Sequence, residues 1–280
     1  MSDYTISTAS REEVDIAVAF AAGEGWNPGK HDADCFHAAD LEGFLVGRLG
    51  GEVIASVSAV RYGKDFGFLG FYVVKAEFRG RGYGLPLFEA AVRQLESVKS
   101  AGLDGVVAQQ QNYMKSGFVL AYRNIRFQGV GGGEMPSGVT PIADIAFGVV
   151  ERYDSVCFGT YRTAFLRAWL SQPEGMGYGI LGSDGELIGY GVLRPCQTGY
   201  KIGPLFADSA DAADCLYRAL ASKVPGAAVY LDVPEANAEA AALAKRHGLA
   251  QCFETARMYK GETPNVPVGR VFGVTTFELG

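Results

Sequence analysis

The stretch Glu77–Leu95, EFRGRGYGLPLFEAAVRQL, places two arginines and three glycines within six residues at the start of a helix-like run. The apolar run FGFLGFYVV at 66–74 precedes it and predicts a β-strand. A helix start presents unpaired N–H groups and the positive end of the helix dipole. Glycines let an anion approach the backbone, and arginines donate forked hydrogen bonds to phosphate oxygens. The pattern favours a diphosphate-binding loop, although a plain strand–helix turn with solvated arginines has the same composition.

Other phosphate-binding motifs fit this stretch less well. A G-x-G-x-x-G motif beginning at Gly80 needs a glycine where Leu85 stands, and the sequence has no GxxxxGK[ST] motif. Those loops also usually follow an early strand of the fold, whereas several strand-like runs come before this one.

The composition excludes several classes of function. A chain of 280 residues that is 48% hydrophobic suits two globular domains, and its net charge of −6 disfavours nucleic acid as a partner. Five cysteines without a CxxC pair, together with three histidines, predict free thiols and no metal site. The sequence shows no signal peptide and no apolar run long enough to span a membrane. We therefore expect a cytoplasmic protein that does not bind membranes.

Two halves with the same order of elements flank a linker. Residues 1–130 predict strand, two helices, three strands, helix, strand, helix and strand. Residues 131–141 are rich in Gly and Pro and predict a linker, and residues 142–280 form the second half. The markers GEVIAS at 51 and KSGFV at 115 return as GELIGY at 185 and RHGLA at 246. The halves are interpreted as two copies of one fold, against the alternative of chance likeness between α/β units.

Two motifs together resemble the GNAT superfamily of N-acetyltransferases. RGRGYG, from Arg79, matches the R-x-x-G-x-G loop that binds the pyrophosphate of acetyl-CoA in that family. YMKSGF, from Tyr113, is similar to its Y-x-x-x-G-F motif, and the element order of residues 1–130 looks like the same fold. The resemblance implies an α/β (α+β) protein with two GNAT-like domains, each having a mixed, mostly antiparallel sheet flanked by helices.

The resemblance also implies roles for individual residues. The strand before the loop would splay from its neighbour, and pantetheine would bond to its backbone near Val74. The Tyr113 hydroxyl would protonate the departing thiolate. The residues expected to bind the cofactor acetyl-CoA are Val74, Arg79, Gly80, Arg81, Gly82, Tyr83 and Gly84.

The first half also departs from the family pattern. Many members have an Asn where this chain has Val106, so Gln109, Gln110 or Asn112 would have to substitute. The apolar strand lacks the glutamate that often acts as general base. The candidate general bases therefore lie in the segment after the first helix, where Trp26 and Asn27 would shape an acceptor pocket. The candidate bases are Glu24, His31, Asp32, Asp34 and His37. A solvated loop and a water relay are the alternatives, and an acetylated Cys35 is disfavoured.

The second half lacks both motifs. Its loop reads FADSADAADC, without glycine and with three aspartates that would repel a pyrophosphate, and Ala244 replaces the tyrosine. Asn237 fits the family pattern, but asparagine is also a common helix cap. We expect a second domain that keeps the fold without the cofactor, with one more strand in the tail RVFGVTTFEL.

These inferences predict an acetyltransferase that moves an acetyl group from acetyl-CoA to a primary amine, with a small molecule as acceptor. A protein or peptide acetyltransferase and a non-catalytic acetyl-CoA sensor are the alternatives. The acceptor pocket is expected between GWNPGKHDAD at 25–34 and the second domain, near the C-terminal tail. The second domain could instead be only a structural brace. The sequence leaves the oligomeric state open.

Overall fold

We describe residues 3–280 in a computed structural model. The order of elements in the first half agrees with the sequence prediction. These elements are β1 (Tyr4–Thr8), α1 (Arg11–Gly23), α2 (Asp32–Ala39), β2 (Phe44–Leu49), β3 (Glu52–Tyr62), β4 (Phe66–Val74), α3 (Gly84–Gln94), β5 (Ser100–Val106), α4 (Gln110–Lys115) and β6 (Val119–Val130). A capping box fixes the start of α1, because Ser10 and Glu13 each bind the other's backbone N–H.

The second half repeats this order from α5 onward. Its elements are β7 (Thr140–Pro141), α5 (Phe147–Phe158), α6 (Thr163–Ser171), β8 (Met176–Leu181), β9 (Leu187–Pro195), β10 (Tyr200–Ala207), α7 (Ala210–Ala221), β11 (Ala228–Pro234), α8 (Ala238–Arg246), β12 (Ala250–Gly261) and β13 (Val271–Gly273). The C-terminal tail forms a strand over Val271–Gly273 and continues as a buried, irregular segment, so the predicted strand is shorter than the alternation suggests.

Within residues 3–280, thirteen strands form one sheet in which the two halves exchange strands. The order is β1-β2-β3-β4-β5-β12-β6-β11-β10-β9-β8-β7, with β13 paired to β10. Strand β12 inserts between β5 and β6, and β6 in turn pairs with β11. The last long strand of each half therefore completes the sheet of the other half. The domain boundaries at 130 and 142 stay a prediction, and a cut there would separate β5 from its neighbour β12.

Three apolar clusters stabilise the molecule. One lies under α3 in the first half, and a second lies under α7 and α8 in the second half. The third is shared, because α1 and α2 pack against α5, α6 and the C-terminal tail. In this shared core the ring of Phe36 stacks on Trp169 with centroids 6.2 Å apart.

Buried polar contacts also join the halves. Arg194 Nε on β9 donates to Asp32 Oδ1 on α2 at 2.9 Å, and both side chains are almost fully buried. Arg126 on β6 binds Asp232 on β11 through two hydrogen bonds of 2.7 Å. Asn27 exchanges two hydrogen bonds with the backbone of Thr198, at 2.9 and 2.8 Å. Removing either partner of a buried ion pair leaves an uncompensated charge, so these contacts fix how the halves sit together.

In the described part of the chain, no helix is long and apolar enough to cross a membrane.

The ion pairs on α2 predict unequal effects of two identical substitutions. Asp32→Asn leaves Arg194 charged and buried, and should lower the free energy of unfolding by about 3–5 kcal/mol. Asp34→Asn removes the exposed partner of Arg11 and should cost about 0–1 kcal/mol. Urea unfolding of both variants measures the difference. Equal midpoints would show that Asp32–Arg194 does not hold the halves together.

Candidate active site

The site lies where two parallel strands separate. Strands β4 and β5 pair from Phe66 with Ser100 to Leu69 with Leu103, and there the pairing stops. Both strands continue, β4 to Val74 and β5 to Val106, so their facing backbone groups are free of each other beyond Leu69. A bulge in β4 marks the separation: Phe71 has a φ of +48°, and its carbonyl accepts a hydrogen bond from Ser56 Oγ at 3.0 Å. The gap can accept an extended ligand that bonds to the strand backbone.

The glycine loop ends at one side of this gap. Gly80 and Gly82 have φ of +72° and +86°, which side chains disfavour. A Cβ on Gly84 would lie 2.5 Å from Tyr72 Oη, so only glycine fits at the first residue of α3. Gly80, Gly82 and Gly84 thus form a cradle at the helix start, where unpaired N–H groups can bind a pyrophosphate.

The two loop arginines lie in different surroundings. Arg79 Nε donates to the Val74 carbonyl at 2.8 Å, and its Nη2 pairs with the carboxylate of Glu24. The guanidinium of Arg81 lies 5.7 Å from the centre of the Phe78 ring. Arg79 thus joins the loop to the end of α1, whereas Arg81 presents its donors to solvent beside the cradle.

Tyr113 on α4 lines the opposite wall. Its ring packs on Gly105 of β5, where a side chain would collide with it, and lies 5.9 Å from the ring of Phe88. Burial, and to a smaller degree Tyr72, raises the pKa of Tyr113 to about 12. The hydroxyl therefore stays protonated at neutral pH and can donate to a departing group.

The gap opens into a cleft of about 460 Å³. Every residue predicted for the loop and strand lines it except Arg81, and so do Tyr113, Glu24, Trp26 and Gln109. Asn27, Asp32 and Gln110 lie outside the lining. Asn27 is bound to Thr198 and Asp32 to Arg194, so both join the halves, and the structure does not support the acceptor roles predicted for them.

Two of the remaining candidate bases form ion pairs away from the cleft. His31 Nε2 pairs with Glu174 at 3.2 Å, and Asp34 pairs with Arg11. Neither they nor His37 line the cleft. Burial raises the pKa of Cys35 to about 12, which argues against a thiolate nucleophile there.

Sequence reasoning placed the tail, including Phe277 and Glu278, near the acceptor pocket, but it named no residue of β12. Four residues of the second half line the cleft. These are Phe253 and Thr255 of β12 and Phe277 and Glu278 of the tail. The ring centroids of Phe253 and Phe277 lie 6.3 Å apart, and the guanidinium of Arg126 lies 4.7 Å from the centroid of the Phe277 ring. The only advance signal was the density of polar and aromatic residues in the tail, and the position predicted for it agrees with the structure.

The equivalent gap in the second half is filled by the chain itself. Strands β10 and β11 pair only where Tyr200–Ile202 lies beside Val229–Leu231. Strand β13 then pairs with β10, and Val274 N donates to the Asp232 carbonyl of β11 at 2.8 Å. A Cβ on Gly203 would lie 2.5 Å from the Thr275 carbonyl, so the tail fits tightly. Asp208, at the degenerate loop, pairs with Arg270.

Comparison with known proteins agrees with this geometry. The model of the acetyltransferase (GNAT) family matches residues 12–118, and that of an acetyltransferase (GNAT) domain matches residues 150–273. The chain is 34% identical to a holothin acyltransferase from Pseudoalteromonas sp. (strain SANK 73390), over 99% of this chain and 95% of that protein. The chain belongs to the GNAT acetyltransferase family. It is a GNAT acyltransferase with two GNAT domains, as the motifs predicted, and enzymes of this family generally use acyl-CoA.

Solved structures show the same tandem GNAT fold. An acetyltransferase-like protein from Pyrococcus horikoshii aligns with a TM-score of 0.85 and 22% identity, over 100% of this chain and 97% of its own. A tandem GNAT protein from the clavulanic acid biosynthesis pathway aligns with a TM-score of 0.63 and 12% identity, over 93% and 99% of the two chains.

The filled gap of the second half predicts one acyl-CoA site per chain. Calorimetric titration with coenzyme A should give a stoichiometry of one, because the tail occupies the second gap. Gly84→Val, whose side chain would collide with Tyr72 at the cradle of the first half, should remove the binding without uncovering a weaker second site. Saturation at two equivalents, or a residual site in Gly84→Val, would contradict the assignment.

Proposed function

We propose that the protein transfers an acetyl group from acetyl-CoA to the primary amine of a small molecule by direct attack. The observation that carries this proposal is the single cleft in which the β4–β5 gap, the glycine cradle and Tyr113 meet. The near-full-length similarity to a holothin acyltransferase supports an acceptor smaller than a protein.

The donor end of the cleft fits coenzyme A by charge and shape. The α3 start offers N–H groups to the diphosphate, and Arg81 lies beside it with free donors. Arg79 would have to release Glu24 to reach the same phosphates. The edge of β4 that β5 leaves unpaired beyond Leu69 can bond to pantetheine and polarise the thioester carbonyl.

Tyr113 supplies the acid at the leaving group. Attack by the amine places negative charge on the carbonyl oxygen and then on the sulfur. A coenzyme A thiol has an ordinary pKa near 8.5, so the thiolate is a moderate leaving group that a donated hydrogen bond or proton helps to depart. The protonated hydroxyl of Tyr113 can make that donation.

The acceptor end is covered by aromatic side chains from both halves. Trp26, Phe253 and Phe277 all line the cleft. This cover favours a small acceptor with a flat apolar body over a peptide lying in a groove. A peptide acceptor is the second candidate, and a panel of amines and short peptides, followed by thiol release, separates the two.

Removing the loop charges should weaken donor binding. Arg79→Ala with Arg81→Ala should raise the Kd for acetyl-CoA strongly, because each charge-assisted hydrogen bond contributes about 1.5–3 kcal/mol. Acetylpantetheine, which lacks the diphosphate, should bind both proteins alike. Arg93→Ala, an exposed arginine at the far end of α3, is the matched control. An unchanged Kd for acetyl-CoA by calorimetry would refute the loop assignment.

Removing the Tyr113 hydroxyl should slow the chemical step. Tyr113→Phe should lower kcat by about 10²-fold while the Kd for acetyl-CoA stays the same. Since the pKa of Tyr113 is about 12, the hydroxyl is protonated from neutral pH to about pH 10, and the loss should be constant over that range. Tyr161→Phe, an exposed tyrosine, is the control. Wild-type turnover in Tyr113→Phe would show that this residue only packs.

A further inference from the structure

Three carboxylates line the cleft in the described part of the chain, and two of them have cationic partners. Glu24 pairs with Arg79 at the loop. Asp104 binds Arg257 through hydrogen bonds of 2.8 and 2.6 Å and accepts another from Asn124 at 2.8 Å. Glu278 differs from both, because it makes no ion pair with any residue in 3–280.

Glu278 is nevertheless buried, with only 3% of its surface exposed. Its Oε2 atom is buried and has no hydrogen-bond partner among residues 3–280. An unsatisfied buried carboxylate oxygen costs free energy, so such groups are retained where a ligand or a reaction uses them. Because Glu278 lines the cleft wall, a ligand in the cleft can supply a hydrogen-bond donor to this carboxylate.

The tail backbone holds Glu278 against the reacting end of β4. Its carbonyl packs on Gly70, next to the bulge at Phe71, so closely that a side chain on Gly70 would collide with it. Thr276 Oγ1 accepts the N–H groups of Glu278 and Leu279 at 3.2 and 2.9 Å. Tyr62 Oη donates to the Leu279 carbonyl at 3.0 Å. The backbone of Glu278 is therefore fixed beside the point where β4 and β5 separate.

Three basic side chains surround the tail. Arg126, Arg194 and Lys201 all lie close enough to interact with Glu278 electrostatically. Arg126 is neutralised by Asp232 and Arg194 by Asp32. Lys201 is buried, and its Nζ donates to the Trp26 carbonyl at 3.1 Å. Of these six ionisable residues, Glu278 is the one that lines the cleft.

We propose that Glu278 is the general base of the acetyl transfer and binds the ammonium group of the acceptor before it takes its proton. This inference rests on the proposed function. It adds that the catalytic carboxylate comes from the C-terminal tail, so the second half completes the active site of the first.

The proton balance of the step is complete. The acceptor R–NH3⁺ gives one proton to the Glu278 carboxylate, and the freed nitrogen lone pair attacks the thioester carbon. The C–N bond forms while the carbonyl π electrons move to oxygen. When the carbonyl re-forms, the C–S bond breaks and its electron pair leaves with sulfur. The sulfur takes a proton from Tyr113, the nitrogen's second proton replaces it, and Glu278 releases its proton to solvent.

The rival role for Glu278 is purely structural, as a counter-charge for the buried Lys201. The two roles differ in how they depend on the acceptor. A structural defect slows every acceptor alike. Loss of a base slows only an amine that is protonated at neutral pH, since a neutral nitrogen already carries the lone pair that attacks.

The test compares Glu278→Gln with wild type on 2-phenylethylamine, which is protonated at neutral pH, and aniline, which is not. In Glu278→Gln, kcat/KM should fall about 10²-fold for 2-phenylethylamine and change little for aniline. The Kd for acetyl-CoA should stay the same. Glu262→Gln, an exposed glutamate at the end of β12, should match wild type with both. Equal losses with both amines, or no loss with either, would overturn the proposal.

Two further measurements keep the proposal testable. If Glu278→Gln does not fold, Glu278→Asp replaces it, because aspartate withdraws the carboxylate by one methylene. Its kcat/KM should likewise fall for 2-phenylethylamine and change little for aniline. If wild type acetylates neither amine, the proposed function fails for these acceptors. Calorimetry with benzylammonium in the presence of coenzyme A then decides, and equal affinity in wild type and Glu278→Gln would refute the role of Glu278.

Discussion

Strand β12 lies between β5 and β6, and the rest of the structure depends on this exchange. Seven residue pairs join β12 to β5, and seven more join β6 to β11. Without the other half, β5 and β11 would each present a row of unpaired backbone groups at a sheet edge. The exchange brings Phe253 and Thr255 to the wall of the first-half cleft. It also explains why a domain without the binding motifs is retained: it supplies sheet, core and cleft to its partner.

The C-terminal tail contacts the strand gap of both halves. Its first part, Val271 to Thr275, fills the gap between β10 and β11, so the second half cannot offer its gap to a ligand. Its last part crosses to the first half and lies against β4, where Phe277 and Glu278 reach the open gap. One short segment therefore fills the gap of the second half and lines the cleft of the first.

Much of the donor site could be predicted from the sequence, and most of the acceptor site could not. The loop 79–84 and Tyr113 could be predicted because each belongs to a motif only six residues long. One is a glycine pattern before a helix, and the other is a tyrosine before a glycine turn. Trp26 and Glu24, in the segment that the fold places over the acceptor site, line the cleft, as does Gln109, which was considered a substitute for the missing Asn. Their roles stay predictions. Asp32 and Asn27 were assigned to the acceptor, but their partners Arg194 and Thr198 lie more than 160 residues away. Nothing local distinguishes a buried interdomain carboxylate from a catalytic one.

The sequence by itself determined the elements, the duplication and the family, because hydrophobic periodicity, turn residues and motif spacing act over short stretches of chain. The tertiary structure decided which strands are neighbours, since β6 and β12 have the same local pattern whether they pair within or between halves. It also decided which carboxylate faces the cleft. Glu24 and Asp104 each form an ion pair with an arginine and Glu278 forms none, and long-range packing sets which of these side chains meet.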